Sequence, residues 1–237
     1  MADLRFWFDP VCPFAWLTST WVRQVSAQRQ YEVEWRFISL RLLNAHIDYA
    51  THFPPEYEAR HTSGLRLLRV AARARAEQGP EAVDRLYAAL GARVFEVPAV
   101  TGDAARRGTP GFVRPALTEA GLPTEFATAL DDDSWDAQIQ DETDEALALT
   151  GKDVGTPILQ FRPPDGIAFF GPVISRLPAD EDAVALWDHV VALASFPGFA
   201  ELKRSLRERP QLPSFGVRTD EAGRTEDWHG GSRRQKR

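Results

Sequence analysis

The chain has 237 residues, a formal net charge of -6, a hydrophobic fraction of 43% and a charged fraction of 26%, which fits a soluble protein of one large domain, or one domain with a sizeable insertion. Its single cysteine excludes the disulfide-built secreted class, and its acidic balance argues against nucleic acid or an anionic membrane as partner. No apolar run approaches the roughly 20 residues of a membrane span, and the N-terminus MADLRFWFDPVC lacks the basic-then-apolar pattern of a signal peptide, so a cytoplasmic protein is expected.

Leu4 to Phe8, LRFWF, is long enough for one buried strand. Asp9-Pro10 ends it, because proline lacks an N–H and steers its predecessor away from helix. Phe14, Leu17, Trp21 and Val25 then recur at helical spacing, with Pro13 suited to the first helical position. In Tyr31 to Ile38, Val33, Trp35 and Phe37 alternate with charged residues, which predicts a half-buried strand and completes a βαβ unit.

From about Leu42 to Lys152 the periodicity is helical. Candidate helices are Pro55 to Glu77, Glu81 to Phe95, Pro115 to Ala120, Thr124 to Leu130 and Ser134 to Leu149, the last with Ser134 as its cap. Gly102 to Gly111 reads as a loop by composition. Strand character returns at Pro157 to Phe161 and Ile167 to Phe170, joined by the turn Pro163 to Gly166 as a hairpin and broken by Gly171-Pro172. Pro178 opens a helix with Asp180, Glu181 and Asp182 in its first turn and Val184, Trp187, Val191 and Ala194 on one face. A further helical piece is expected over Phe199 to Leu206, and a disordered tail from 208 to 237. The expected organisation is α/β: residues 1–41 and 153–207 form one sheet domain, and 42–152 an all-helical insertion.

Cys12 stands at the mouth of the first helix, directly after a strand. The bland reading is a buried core cysteine. The sharper one is that free backbone N–H groups and the helix dipole hold it as a nucleophilic thiolate of depressed pKa. Val154-Gly155-Thr156-Pro157-Ile158 is a second signal. A cis bond before Pro157, opposite the helix mouth, would turn the Thr156 backbone toward Cys12 and let it pair with an extended substrate or thiol; the bland alternative is a simple loop leading into a strand. His46, His52 and His61 have spacings that match no metal-ligand pattern and are expected on a loop and a helix surface, so no metal site is read. Trp7, Trp16, Trp21 and Trp35 could line an aromatic pocket, although core packing suits Trp21 and Trp35.

The stretches FWFDPVCPFAW, FISLRLLN, DVGTP, FFGPVISRLP and LWDHVVALASFPGFAELKR, in this order, resemble the DsbA-like branch of the thioredoxin superfamily, and within it the actinobacterial mycothiol-dependent nitroreductase family. The resemblance implies a thioredoxin fold (β-α-β … β-β-α) with a large helical insertion. It makes Cys12 the nucleophile and Thr156-Pro157 the cis-proline loop. Pro13, Phe14, Trp16, Asn44 and Tyr57 join Thr156 and Pro157 as substrate- or thiol-binding residues, Tyr57 from a mobile helical lid. The implied cofactor is a low-molecular-weight thiol, mycothiol in preference to glutathione, and the implied partner a small-molecule substrate, with the chain a monomer or homodimer.

One departure matters. The family commonly carries Cys-Pro-Trp-Cys, whereas this chain has Cys12-Pro13-Phe14-Ala15. A dithiol cycle needs two sulfurs. Three readings follow: a monothiol oxidoreductase whose mixed disulfide an external thiol resolves; a thiol-assisted isomerase of a conjugated double bond; and a degenerate, non-catalytic binding protein. The related kappa-class transferases and hydroxychromene carboxylate isomerases recognise glutathione partly through an aspartate that Gly171 to Arg176 lacks.

Overall fold

The computed structural model describes residues 2–98, 100, 102–151, 154–203, 206–217 and 225–227. In chain order its elements are β1 (Leu4–Phe8), α1 (Pro13–Gln28), β2 (Val33–Phe37), α2 (Leu40–Leu43), α3 (Tyr49–His52), α4 (Tyr57–Gln78), α5 (Glu81–Phe95), α6 (Asp103–Arg106), α7 (Pro110–Glu119), α8 (Asp136–Thr150), β3 (Ile158–Phe161), β4 (Ala168–Phe170), α9 (Asp180–Ser195), β5 (Leu206–Glu208) and β6 (Thr225–Asp227). Short 3-10 segments cover Thr124–Asp131, Asp133–Trp135 and Pro213–Phe215.

Four strands form one sheet in the order β2-β1-β3-β4. β1 runs parallel to β2 and antiparallel to β3, and β4 closes the β3 hairpin. This is the thioredoxin-fold sheet that the motifs led us to expect. The period of two along β1 decides which side each residue serves. Leu4, Phe6 and Phe8 enter the main core beneath α1 and α5. Trp7 points the other way and packs with Ile38, Leu43, Ala146 and Ile158 under α8. All four candidate pocket tryptophans are buried, Trp35 being the most exposed at 7%. They serve the core rather than an aromatic pocket.

β2 is an edge strand, and an unpaired edge invites other chains to add to it. Here α8 covers it. Glu142 accepts the Phe37 amide at 2.7 Å and also binds Arg75, while Thr143 Oγ1 accepts the Ser39 amide at 3.1 Å. Glu142 is only 5% exposed, and its charge is tolerated because an amide and two guanidinium groups, Arg75 and Arg36, the latter at 3.4 Å, answer it.

Several expectations need correction. Gly102 to Gly111 is not all loop: Asp103 bonds Arg106 at 2.9 Å and Arg107 at 3.0 Å, the i+3 and i+4 spacings that favour a helical turn, and forms α6. Pro110 then starts α7 at its first position, five residues before the expected start. Ser134 is not the cap of α8; its amide and hydroxyl are taken by Asp132 Oδ1 at 3.1 and 2.6 Å. Phe199 to Lys203 is not helical, and Leu202, 84% exposed, offers no buried face to drive a helix. At the start of the expected disordered tail, residues 208–217 pack onto the body instead. Gln211 N donates to Ser175 O at 2.7 Å, and Leu212 is 5% exposed. Met1, Lys152 and Asp153, and in the tail 218–224 and 228–237, lie outside the described residues. No helix among the described residues is long and apolar enough to cross a membrane.

Candidate active site

The site is built on the turn between β1 and α1. Asp9 ends the strand fully buried. Its Oδ1 accepts the Val11 amide at 2.9 Å and its Oδ2 the Leu40 amide at 2.8 Å. One carboxylate thus ties the β1–α1 turn to the start of α2. Burial pushes its pKa up to about 7, even though both amides pull the other way. The Asp9 carbonyl also accepts the Cys12 amide at 3.0 Å, setting the next residue in place.

Cys12 is the N-cap of α1, with extended backbone (φ -87°, ψ 115°), and Pro13 opens the helix where its missing N–H costs nothing. The Sγ accepts the Ala15 amide at 3.4 Å, and the thiol donates to the Thr156 carbonyl at 3.4 Å. The Thr156–Pro157 bond is cis. Thr156 Oγ1 donates to Trp7 O at 3.4 Å, which pins the loop to the centre of β1. The sulfur and the Gly155-Thr156-Pro157 turn therefore meet, as the sequence suggested.

The protonation state differs from expectation. Cys12 is 6% exposed, and burial pushes its thiol up to about 12, past the opposing pull of the Ala15 amide. The Asp9 carboxylate adds to the rise; the Phe14 amide and the Arg60 guanidinium oppose it. A helix terminus does supply the amides, but removing the sulfur from water costs more than they return. The resting group is a neutral thiol, not a thiolate.

The other expected site residues are distributed as follows. Pro13 and Phe14 are half-buried beside the sulfur in sequence. Trp16 is not pocket-lining: it is 5% exposed and stacks on Phe95 with ring centroids 6.1 Å apart. Asn44, 2% exposed, caps α2 by donating to Leu40 O at 2.7 Å, and its Oδ1 has no hydrogen-bond partner among the described residues. It meets the thiol turn through Leu40, the residue whose amide holds Asp9. Tyr57 begins α4, stacks on Phe53 at 5.6 Å and lines a cavity with Phe95 and Phe215. His61, expected on a surface, is 6% exposed and shares a 2.9 Å hydrogen bond with the Tyr49 hydroxyl.

Two glycines that sequence reasoning passed over bring the helices down onto this turn. A Cβ at Gly64 of α4 would sit 2.6 Å from Asp9 Oδ1 and 2.9 Å from Val11 Cγ2. A Cβ at Gly91 of α5 would lie 2.0 Å from the Trp16 ring. Each helix approaches so closely only because it lacks a side chain there. Asp9 was also missed as a site residue. The signal was available, since an aspartate between an apolar strand and a helix mouth has few partners other than nearby backbone amides.

A protein-family model described as Rv2466c-like, mycothiol-dependent nitroreductase Rv2466c, matches residues 11–204. The chain belongs to the Rv2466c-like family. The match runs through the thiol turn, the helical run and the Thr156-Pro157 loop. A Mycobacterium tuberculosis protein named uncharacterized protein Rv2286c is 32% identical over 205 residues, covering 86% of this chain and 82% of its own. The chain is also similar to two solved structures. A probable DsbA oxidoreductase from Streptomyces coelicolor is 14% identical, with 88% of this chain and 97% of that one covered and a TM-score of 0.49. The cytosolic disulfide reductase DsbM from Pseudomonas aeruginosa is 18% identical, with 81% and 99% covered and a TM-score of 0.45.

Proposed function

We propose that this Rv2466c-like protein is a monothiol, thiol-dependent oxidoreductase of the cytoplasm, with Cys12 as nucleophile and a low-molecular-weight thiol, mycothiol by family, as co-substrate. The observation that carries this reading is the Cys12 Sγ placed at a helix N-cap and facing the Thr156 carbonyl at 3.4 Å. In thiol–disulfide exchange, the Cys12 sulfur attacks a disulfide and displaces one thiolate. A second thiol then attacks the mixed disulfide and restores Cys12. Ala15 occupies the place of an internal resolving sulfur, so the second thiol comes from solution. The Thr156 carbonyl is positioned to receive a backbone-like N–H of the incoming thiol once Cys12 releases it. The helices between 42 and 152 act as the cover that admits the substrate and sets its identity. Burial accounts for the neutral resting state of the sulfur, and attack requires that the sulfur gain access to its partner.

Ala15 also favours a second reading, thiol-assisted cis-trans isomerisation of a conjugated double bond. The thiolate adds, the bond rotates, and the same sulfur leaves, so no second sulfur is needed. The two readings separate by stoichiometry. The purified protein is incubated with reduced mycothiol and either a distinct disulfide or a conjugated polyene, and mycothiol recovered in disulfide form is quantified against product. Mycothiol disulfide formed in step with reduced product supports the oxidoreductase; isomerised product with mycothiol still reduced supports the isomerase. A Cys12→Ser variant that keeps full activity overturns both and leaves a binding protein.

A further inference from the structure

A cavity of about 440 Å³ lies between the start of α4, the end of α5, the α6–α7 junction and the segment 209–216. Three arginines reach it, Arg60, Arg107 and Arg209, together with the rings of Tyr57, Phe95 and Phe215, and none of the described residues that line it is acidic. Arg107 is engaged with Asp103 behind the wall, at 3.0 Å. Arg60 has no carboxylate partner among the described residues. Its guanidinium lies 5.2 Å from the Tyr57 ring centroid, and its Nε is buried without a hydrogen bond. Arg60 stands one helical turn before Gly64, the residue that touches Asp9 and Val11 of the thiol turn. The cavity therefore shares the face of α4 that packs on Asp9 and Val11, the residues leading into Cys12.

Concentrated positive charge of this kind costs stability unless something answers it. Burial lowers the Arg107 guanidinium below its usual value, and the Arg60 and Arg106 charges lower it further. Asp103 supplies one negative charge and opposes this fall. A ligand carboxylate would supply another, in the bidentate geometry that guanidinium groups favour.

We infer that this cavity is a subsite for the carboxylate of a planar, aromatic or conjugated small acid, with Arg60 as the principal anchor and Tyr57, Phe95 and Phe215 packing its flat body. The inference deepens the proposed function by naming a substrate class. It leans on that reading only for the cavity's closeness to Cys12. The acid is the substrate itself, distinct from the thiol co-substrate.

The test is binding, which needs no turnover. The full chain is titrated with fluorescent 2-naphthoate and, separately, with the isosteric neutral 2-naphthamide. The acid is expected to bind at least tenfold more tightly, with affinity falling as salt rises. Arg60→Gln should erase that tenfold preference while leaving amide binding unchanged, and Arg60→Lys should restore part of it. Equal affinity for acid and amide, failure of both to bind at millimolar concentration, or an unchanged preference in Arg60→Gln each overturns the inference. If Arg60→Gln fails to fold, the wild-type comparison of acid with amide decides alone. Cys12→Ser should bind 2-naphthoate as wild type does, so loss of the subsite and loss of the thiol chemistry register separately.

Discussion

At the scale of single residues, the chemistry turns on a competition between solvent exclusion and local dipoles at Cys12. The pH profile of alkylation should report the outcome. Iodoacetamide labelling of Cys12 in the resting protein should rise toward a midpoint near 12, far above the roughly 8.5 of a free cysteine. A midpoint near or below 7, measured by mass spectrometry of the single adduct, would mean that the amides prevail. Asp9→Asn removes a negative charge that raises the thiol, so the same assay should show a lower midpoint and faster labelling at pH 8. Because burial is the larger cause, the midpoint should still exceed that of free cysteine.

At the scale of elements, the glycines of α4 and α5 set how closely the helical run sits on the thiol turn. Gly91→Ala drives a methyl into the Trp16 ring. Overpacking of this kind costs about 1–3 kcal/mol, and denaturant unfolding should place the variant in or above that range. Gly64→Ala strikes the Asp9 carboxylate, so it should loosen the turn and also alter Cys12 labelling, an effect that Gly91→Ala should show less. Glu142→Ala strips the β2 edge of its cover and leaves Arg75 without its carboxylate. Breaking such a buried pair costs about 3–5 kcal/mol, measurable as a lowered denaturation midpoint.

The same elements show what the sequence could convey. β1, α1, α5 and the β3–β4 hairpin were legible because each carries an uninterrupted period of its own, such as Val83, Leu86, Leu90 and Val94 along α5. Cys12 and Thr156-Pro157 were legible as partners through chain order and chemistry, and the family resemblance was carried by motifs around them. The burial of the sulfur was not legible, since it depends on how distant elements pack on the thiol turn; Gly64 and Gly91, which let two helices approach Asp9, Val11 and Trp16, read locally as weak points in helices. α6 was hidden by the glycines around it, and the packing of 208–217 by its polar composition, which gave no hint of the bond from Gln211 to the Ser175 carbonyl.

At the scale of the whole molecule, burying Asp9 gives stability a pH dependence with a definite sign. The folded chain keeps the Asp9 proton up to about 7, whereas the unfolded chain loses it near 3.8. Between those values the folded state binds more protons, so its stability declines as pH rises through that window. The decline attributable to Asp9 is on the order of a few kcal/mol. Urea denaturation at pH 5 and pH 7.5 should show it as a fall in wild type that shrinks in Asp9→Asn. An equal change in both proteins would assign the dependence to other groups.

The single cysteine, with alanine one helical turn away, would also govern timing. On the monothiol reading, a partner captured on Cys12 meets no second sulfur in the chain to release it. The lifetime of that linkage would then be fixed by how often a free thiol arrives from outside, and would lengthen as the surrounding thiol pool is drained. The occupied fraction would follow that pool, readable as a mass increment at one atom.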